Sequence, residues 1–533
     1  MLESRAARFR RACRVLAAAG FVPSGLLACG EPAKLGTVVQ AQRPALVVYV
    51  DQPRQRISGF GASSAWTAQE LSDSLADQFF SVSSGIGLSL LRVRIAPTGE
   101  TWEGATARMA QQRGAVVWAS PWSPPAAWKE GQGDDVDDWN PETEPDGGGG
   151  RLMTARYQDW ANRLADSVQG RAEEGVNLFA ISAQNEPDYV ATWETCEWEP
   201  AELVTFIRDF FAPALSSRGL DTRIVAPEAA NWNSIEPYAN PLLSDASVRA
   251  VVDIVAVHSY AGEAFAYQAP AAQGKELWMT EVSDDGDGQA PDTGMGSALR
   301  VARMMHDHLT IAEVSAWHYW WLIPSNDGAG NQGLASGGAL TRRAYALGNF
   351  SKFVRPGSVR VETSADSAGA SVHVTAFRSE DSARVVIVAI NAGNSEQNQT
   401  FEVAGAELAS VTPWVTSASQ ALVAQAPLPA GNTFSYALAA QSITSFVAEV
   451  TGAASTSASS SGTSGGMGGN PGSGTGGASS TSGGGGPVGH YEGTEEGGCA
   501  CAVAGRSTGS GLAWLALPWA LLVVARVRRR LGT

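Results

Sequence analysis

Short apolar runs alternate with longer amphipathic segments eight times along the middle of this chain. The runs have the length of buried strands, and the segments after them carry the spacing of helices. Eight consecutive strand–helix units predict an α/β fold in which a parallel sheet closes into a (β/α)8 TIM barrel over residues 57–356. An open doubly wound sheet is the alternative, but no glycine-rich phosphate loop follows the first strand. The predicted strands are 57–61, 88–95, 115–120, 178–184, 223–226, 253–258, 276–280 and 314–321.

The pattern changes after the predicted barrel. From 357 to 450, short segments alternate apolar and polar residues and are separated by Gly, Asn and Ser. Such segments are typical of a β-sandwich. Residues 45–56, ahead of the first barrel strand, alternate in the same way. We therefore expect this N-terminal strand to join the side β-domain, which would then be fused to the barrel.

The N-terminal 28 residues have the pattern of a secretory signal peptide. Five arginines between residues 5 and 14 precede an apolar stretch over 15–28, which is short for a membrane span. The stretch ends in Leu26-Leu27-Ala28-Cys29, which resembles the lipobox of bacterial lipoproteins. Lipidation of Cys29 and simple cleavage both remain open.

The C-terminal region has two parts. Residues 451–497 form a linker rich in Ser, Gly and Thr, a composition that cannot bury enough apolar surface to fold. Residues 498–533 contain two cysteines, then an apolar run, then four arginines between 526 and 530, an order that resembles a C-terminal sorting tag of Gram-negative surface proteins. A plain membrane anchor is disfavoured because the run is short and contains Pro518. We expect a secreted protein, attached by its termini at the outer surface of a Gram-negative cell.

Composition and residue spacing argue against nucleic-acid partners, metals and cofactors. The formal net charge is −16 and the pI is about 4.9, whereas nucleic-acid binding needs clustered Lys and Arg. Cys196 is the one cysteine in the predicted folded body, and no metal-site spacing of His, Cys and carboxylates occurs there. His258 ends the sixth predicted strand and is interpreted as a hydrogen-bonded core residue. The sequence therefore predicts no metal and no cofactor, and it does not indicate an oligomeric state.

Two glutamates follow predicted barrel strands. Asn185-Glu186-Pro187 comes after the fourth strand, and Glu281 comes directly after the seventh. Catalytic side chains of such barrels lie at the C-terminal ends of the strands, so both carboxylates should face one mouth. A pair of carboxylates, one protonated and one ionised, is the requirement of glycoside hydrolysis. An amide at Asn185 could hydrogen-bond the sugar hydroxyl beside the reacting carbon.

Tryptophan is abundant, with 17 residues, and many of them follow predicted strands. Indole rings stack on the C–H face of sugars, so aromatic residues around one mouth suit a polysaccharide groove. The tryptophans at strand ends are Trp66, Trp122, Trp128, Trp193, Trp198, Trp232, Trp320 and Trp321.

Five motifs resemble glycoside hydrolase family 30, and most closely its bacterial xylanase and glucuronoxylanase branch. They are RISGFG (56–61), SPWSPP (120–125), ISAQNEP (181–187), LWMTE (277–281) and GNFSKFVRPG (348–357). The resemblance covers about residues 47–450. It implies a retaining mechanism on a barrel joined tightly to a β-sandwich. It also implies that Glu186 is the acid/base and Glu281 the nucleophile.

The same resemblance extends to the groove and to the substrate. Asn185, Trp122, Tyr260 and Trp320 match groove residues, Trp66 is a further candidate, and Arg92 matches an arginine that supports the nucleophile. Family xylanases that require a glucuronate side chain hold its carboxylate with an arginine after the eighth strand. Here no cation follows Trp321 before Arg342. Asp284, Asp285 and Asp287 follow the nucleophile, and we expect their negative charges to repel an anionic substituent near the cleavage site.

The expected activity is therefore that of an endo-1,4-β-xylanase without a strict glucuronate requirement. A β-1,6-galactanase or β-1,6-glucanase is the enzymatic alternative, because fold and acid pair do not determine the sugar. An inactive carbohydrate-binding surface protein is the non-enzymatic alternative, and the presence of both carboxylates disfavours it.

Overall fold

The structure, a computed structural model, describes residues 44–67, 70–99, 103–130, 149–191, 193–284, 290–324, 330–364 and 371–451. The predicted signal peptide, the linker beyond Thr451, the sorting tag, Asp285 and Asp287 lie outside these residues. Within the described ranges, no helix combines the length and apolar character needed to cross a bilayer.

Eight parallel strands form a closed barrel in chain order, and the ring closes where the eighth strand pairs with the first. The predicted (β/α)8 fold is therefore confirmed. The barrel strands, numbered one to eight below, are Gly59–Ser63, Leu90–Ile95, Val116–Pro121, Leu178–Ser182, Arg223–Val225, Val252–His258, Glu276–Glu281 and Ala316–Trp321.

Helices surround the barrel because each has one apolar face. In Tyr157–Glu173 the buried residues Tyr157, Trp160, Leu164 and Val168 recur at helical spacing. The described helices are Asp73–Phe80, Gly104–Gln112, Tyr157–Glu173, Pro200–Phe206, Ala212–Ser217, Ile235–Ser244, Ala246–Val251, Ala269–Ala272, Met295–Thr310 and Arg342–Ser351.

The amphipathic spacing of residues 201–215 predicts one continuous helix, but this segment is divided in the structure. A π-helical turn, Ile207–Phe211, separates Pro200–Phe206 from Ala212–Ser217. Pro213, just after this turn, has no amide hydrogen to continue the α-helical pattern.

The barrel interior is filled with side chains and is not a channel. Trp118 and Trp278 pack edge to face there, with ring centroids 6.0 Å apart. The indole N–H of Trp118 donates to Nε2 of His318 at 3.0 Å. This packed layer supports the charged residues at the C-terminal mouth from below.

The side domain is a nine-stranded sheet that encloses its own apolar core, including Val48, Ile387, Phe401 and Phe446. The N-terminal strand lies inside this sheet, antiparallel to Val359–Thr363 and parallel to Gln397–Ala404. The nine strands are Leu46–Arg56, Val359–Thr363, Val372–Arg378, Arg384–Asn391, Gln397–Ala404, Leu408–Thr416, Val423–Ala424, Thr433–Leu438 and Ser442–Val450.

Two barrel helices, Met295–Thr310 and Arg342–Ser351, pack against the side domain. The buried Asn349 amide donates to Oγ of Ser445 at 2.8 Å, and that hydroxyl donates back to the Asn349 carbonyl at 2.6 Å. The barrel and the sandwich therefore share a packed, hydrogen-bonded interface.

Candidate active site

Glu186 and Glu281 meet at the mouth of the barrel. Glu281 is the last residue of strand seven, and Glu186 lies four residues beyond strand four; both are almost fully buried. One carboxylate oxygen of each lies within 4.8 Å of the other and of a ring nitrogen of His258. The Glu186 backbone has a φ of 46°, an uncommon conformation for a residue with a side chain, and such conformations cluster at functional sites.

Arg92, on strand two, is fully buried and connects several strand ends. Its guanidinium forms an ion pair with Glu281 and donates to Oδ1 of Asn185 at 2.6 Å. It also lies over the Trp122 ring, with Cζ 4.3 Å from the centroid. A guanidinium is planar and permanently charged, so it can hold a carboxylate, an amide and an indole in one arrangement.

Glu228 is a third glutamate at the mouth, and the sequence analysis missed it. It follows strand five, is fully buried, and has a φ of 61°. Its carboxylate pairs with Arg92 at 2.7 Å and accepts a hydrogen bond from the Ser120 hydroxyl at 2.7 Å. Its backbone carbonyl accepts the amide hydrogen of Glu186 at 3.0 Å. The available signal was its position after a barrel strand, the criterion that found Glu186 and Glu281.

His258 lies among the three carboxylates. Its Nδ1 is 2.8 Å from Oε1 of Glu186, and its Nε2 is 3.4 Å from Oε1 of Glu228. Nδ1 is also 3.8 Å from Oε2 of Glu281. The interpretation of His258 as a core residue was incomplete, because it is buried and hydrogen-bonded but touches both proposed catalytic carboxylates.

The charges at the mouth are strongly coupled. Burial alone would lower the pKa of His258, but Glu281, Glu186 and Glu228 raise it to about 10, so both ring nitrogens carry protons at neutral pH. Burial would raise the pKa of Glu228, but Arg92 and His258 hold it at about 2. Burial raises the pKa of Glu281, while His258 and Arg92 act in the opposite direction. Two cations face three carboxylates, so the cluster is neutral when one carboxyl is protonated.

This charge arrangement also bears on metal binding. Glu186, His258 and Glu281 offer three ligand atoms close together. A metal ion, however, requires neutral imidazole and competes with the two cations already present. The donor set is therefore better suited to holding protons than a divalent cation.

Two further side chains complete the mouth around the carboxylates. The Tyr260 hydroxyl donates to Oε1 of Glu281 at 2.7 Å. Because Oδ1 of Asn185 accepts from Arg92, its Nδ2 is left as a buried donor without a partner among the described residues. An unpaired buried donor at a mouth indicates a ligand that is hydrogen-bonded there.

Four tryptophans form one cluster at the mouth, defined here as the tryptophan cluster: Trp66, Trp122, Trp320 and Trp321. Trp66 and Trp122 pack edge to face with centroids 4.8 Å apart, and Trp320 stacks on Trp321 at 4.9 Å. The predicted groove residues of strands one, three and eight are thus in contact with one another.

The other tryptophans predicted for the groove lie outside the tryptophan cluster. Trp198 and Trp232 are buried, Trp198 against Phe206 and Trp232 beside His308. Trp128 packs under the guanidinium of Arg163 at 4.3 Å. Trp193 is 53% exposed and belongs to the loop after strand four.

Comparison with known proteins agrees with this geometry. Residues 99–329 match the description "O-Glycosyl hydrolase family 30", and residues 357–446 match "Glycosyl hydrolase family 30 beta sandwich domain". The chain is 32% identical over 411 residues to glucuronoxylanase XynC of Bacillus subtilis (strain 168), covering 75% of this chain and 91% of that protein.

Two solved structures are similar over nearly the whole of their length. A GH30 endoxylanase from Clostridium papyrosolvens C71 is 32% identical with a TM-score of 0.65, covering 76% of this chain and 100% of that one. The subfamily 8 xylanase Xyn30A from Clostridium acetobutylicum is 31% identical with a TM-score of 0.66, covering 76% and 99%. The chain therefore belongs to glycoside hydrolase family 30.

Proposed function

We propose that this protein is a retaining endo-β-glycanase that hydrolyses xylan, with Glu186 as acid/base and Glu281 as nucleophile. The observation that carries the retaining mechanism is the placement of carboxylate oxygens of Glu186 and Glu281 within 4.8 Å of each other. Xylan as the substrate is supported by the similarity to the glucuronoxylanase and the two xylanases. Retaining glycosidases hold their two carboxyl groups about 5–5.5 Å apart, whereas inverting enzymes leave roughly 6.5–9.5 Å for a water. The same spacing disfavours a barrel that only binds carbohydrate.

The reaction proceeds in two displacements. The Glu186 carboxyl gives its proton to the glycosidic oxygen as the bond from that oxygen to the sugar C1 breaks. A carboxylate oxygen of Glu281 forms the new bond to C1, which produces a glycosyl ester. Water then attacks C1, Glu186 takes the water proton, and the ester bond breaks to return Glu281 as a carboxylate.

The surrounding residues support the nucleophile and position the sugar. Arg92 and the Tyr260 hydroxyl hold the two oxygens of Glu281, so the carboxylate is oriented before the substrate arrives. The free Nδ2 of Asn185 is placed to donate to the hydroxyl next to the reacting carbon. Trp122 and Trp320 are only 2% and 9% exposed, so within the tryptophan cluster the partly buried Trp66 offers the most apolar surface to the sugar rings.

The absence of a glucuronate requirement is supported by the arginines that follow strand eight. Arg342 donates to the carbonyls of Ala418 and Gln420 in the side domain. Arg343 is buried and donates to Ser297 and to the Gly333 carbonyl. Both guanidinium groups are occupied away from the mouth.

Asp284 was expected to repel an anionic substituent, but it is buried in a two-bond ion pair with Arg300, at 2.7 and 2.8 Å. Its charge is neutralised there, so Asp284 does not contribute repulsion. Asp285 and Asp287 lie outside the described residues.

The decisive assay compares initial rates on glucuronoxylan, arabinoxylan, a β-1,6-galactan and a β-1,6-glucan, with products separated by chain length. We expect oligosaccharides from both xylans, with arabinoxylan cleaved at least as well as glucuronoxylan. Activity confined to glucuronoxylan would contradict the relaxed requirement. Activity confined to a β-1,6-linked polymer would retain the mechanism and overturn the xylanase proposal.

We also propose that the protein is secreted and held at the outer surface of a Gram-negative cell. Support comes from the basic and apolar N-terminal segment and from the cysteine, apolar and arginine pattern of residues 498–533. Protease treatment of intact producing cells should remove the enzyme activity from the cell pellet. Activity that stays protected until the cells are lysed would argue against surface display.

A further inference from the structure

The loop after strand four carries two exposed aromatic side chains. Tyr189 is 43% exposed and Trp193 is 53% exposed, and their ring centroids lie 6.3 Å apart. Exposed large apolar side chains are few among the described residues, and the others are Val82, Tyr260, Ile311 and Val423. Neighbouring exposed aromatic rings on one loop are a feature of binding surfaces.

The loop that presents these rings is held firmly at its start. The Tyr189 amide donates to the Glu186 carbonyl at 3.1 Å, and the Ala230 amide donates to Oδ1 of Asp188 at 2.8 Å. The Trp198 amide donates to the Pro187 carbonyl at 3.0 Å, which closes the loop at its base. Tyr189 is therefore fixed next to the proposed acid/base.

The residues after Trp193 are anchored by buried charges. Glu194 is almost fully buried and forms a two-bond ion pair with Arg94 of strand two, and Arg94 lies 5.1 Å from the ring centroid of Trp66. Buried Lys129 donates to the Thr195 carbonyl at 2.9 Å. The described loop residues 187–191 and 193–198 are tied by these contacts and still expose two aromatic rings. Both rings are therefore positioned before a ligand binds, which lowers the entropic cost of binding.

The position of the two rings indicates which part of the substrate they meet. In a closed ring of eight strands, strands four and eight are on opposite sides. Trp320 and Trp321 end strand eight beside Glu281 on strand seven, whereas Tyr189 and Trp193 lie beyond Glu186. The sugar that becomes attached to Glu281 belongs to the first side. The sugar that departs with the proton from Glu186 belongs to the second.

We propose that Tyr189 and Trp193 form a stacking platform for the sugar residues on the leaving-group side of the scissile bond. This inference rests on the proposed function. The platform binds the departing end of the polysaccharide and favours endo-cleavage of long chains, because a long leaving group gains contacts that a small one does not.

The test compares a substrate that reaches the platform with one that cannot. Xylan places sugars on both sides of the scissile bond, whereas β-xylobiosyl fluoride has a single fluorine atom as its leaving group. In the full chain, Trp193→Ala should lower the ratio of kcat/KM on xylan to kcat/KM on the fluoride about tenfold. Tyr189→Ala should lower the same ratio, and Trp193→Phe, which keeps a flat ring, should restore most of it.

Ile311→Ala is the matched control, since it truncates an exposed apolar side chain away from the mouth and should leave the ratio unchanged. An equal loss on both substrates in Trp193→Ala would mean that the loop only supports Glu186, and an unchanged ratio would mean no contact; either result overturns the platform. If the wild-type enzyme cleaves another β-linked polymer instead of xylan, the same ratio measured with that polymer and its glycosyl fluoride tests the platform. The stacking platform and the xylanase proposal can therefore be refuted independently of each other.

Discussion

His258 and His318 are both buried in the barrel, yet they lie in two different layers. His258 belongs to a charged layer at the mouth with Arg92, Glu186, Glu228 and Glu281, whereas His318 belongs to an apolar layer with Trp118 and Trp278. His258 at the mouth has a carboxylate oxygen near each ring nitrogen, which raises its pKa to about 10. His318 receives a hydrogen bond from Trp118 and faces a backbone carbonyl, and burial, together with the positive charge of Arg92, lowers its pKa to about 3. Burial alone therefore does not determine the charge of a side chain; the neighbouring groups do.

The protonation of His258 in the charged layer depends on the groups that surround it. Facing His258 are Glu186 from strand four, Glu228 from strand five, and Tyr260 and Glu281 from strands six and seven. Arg92 approaches from strand two, and neutral His318 lies on strand eight. Substitutions in the charged layer and substitutions in the apolar layer should therefore affect different properties of the enzyme.

The largest effect is expected for Glu281→Gln in the charged layer. Without the attacking oxygen no glycosyl ester forms, so kcat should fall on the order of 10,000-fold or more. Polysaccharide binding should remain, because the tryptophan cluster is untouched. Glu276→Gln, at the opposite end of the same strand, is the matched control and should keep its activity. Retained turnover in Glu281→Gln would remove this residue from the mechanism.

Glu228→Gln should have the next largest effect, because it leaves Arg92 and His258 with one fewer carboxylate. We expect kcat to fall roughly 100-fold and the free energy of unfolding to fall by about 3 kcal/mol. The loss of a negative charge lowers the pKa of Glu281 and of His258, so the acidic limb of the kcat/KM pH profile should move to lower pH.

A purely structural role for Glu228 would leave that pH profile in place. Glu313→Gln breaks a half-buried ion pair with Arg360 away from the mouth, so it is the matched control for charge removal. Its pH profile should be that of the wild type. If the two variants behave alike, Glu228 does not tune the site.

The stability of the charged layer should depend on alkaline pH through His258. The pKa of His258 is raised from 6.5 in the unfolded chain to about 10, so its stabilising contribution is complete below pH 6.5 and is lost as pH rises toward 10. His258→Asn keeps a donor near the Nδ1 position without a titrating ring. Between pH 6.5 and 8, the wild-type free energy of unfolding should fall relative to the variant by on the order of 1 kcal/mol per pH unit. Parallel curves from denaturant titrations would show that His258 is neutral in the folded protein.

The apolar layer should show the opposite dependence and the smallest effect on activity. The pKa of His318 falls from 6.5 to about 3 on folding, so its contribution is present above pH 6.5 and is lost as pH falls toward 3. His318→Gln retains an acceptor for Trp118 and removes the titration. Between pH 6.5 and 5 the wild type should therefore lose stability faster than this variant, with kcat within about threefold. A large loss of kcat would mean that both layers take part in the chemistry.

The sequence predicted the barrel well because its strands are continuous apolar runs at regular intervals. Strand bounds differ by up to two residues, as for strand one, which is Gly59–Ser63 and not 57–61. The π-helical turn at Ile207–Phe211 was missed because local spacing resembles one continuous helix. Trp198 and Trp232 could not be separated from groove residues, since position after a strand does not reveal where an indole points.

The candidate site was predicted in part for a similar reason. Glu186 and Glu281 were predicted from their positions after barrel strands and again from the family motifs, and Arg92 from the resemblance alone. Glu228 was missed although it follows the fifth strand, because that strand has only three residues and Glu228 belongs to none of the five motifs. The role of His258 depends on carboxylates that are distant in the sequence, which only the folded barrel brings together.

The N-terminal strand Leu46–Arg56 has consequences for how the protein is synthesised. Its two partners, Val359–Thr363 and Gln397–Ala404, leave the ribosome more than 300 residues later. Until then its hydrogen-bonding edges and apolar residues such as Val48 have no native partner, and unpaired edges favour aggregation. The sheet therefore cannot be completed during most of translation, and a nascent chain that keeps this segment unfolded or bound to a chaperone would avoid premature association. A chain that ends before residue 404 should lack the parallel neighbour of this strand and should therefore be insoluble.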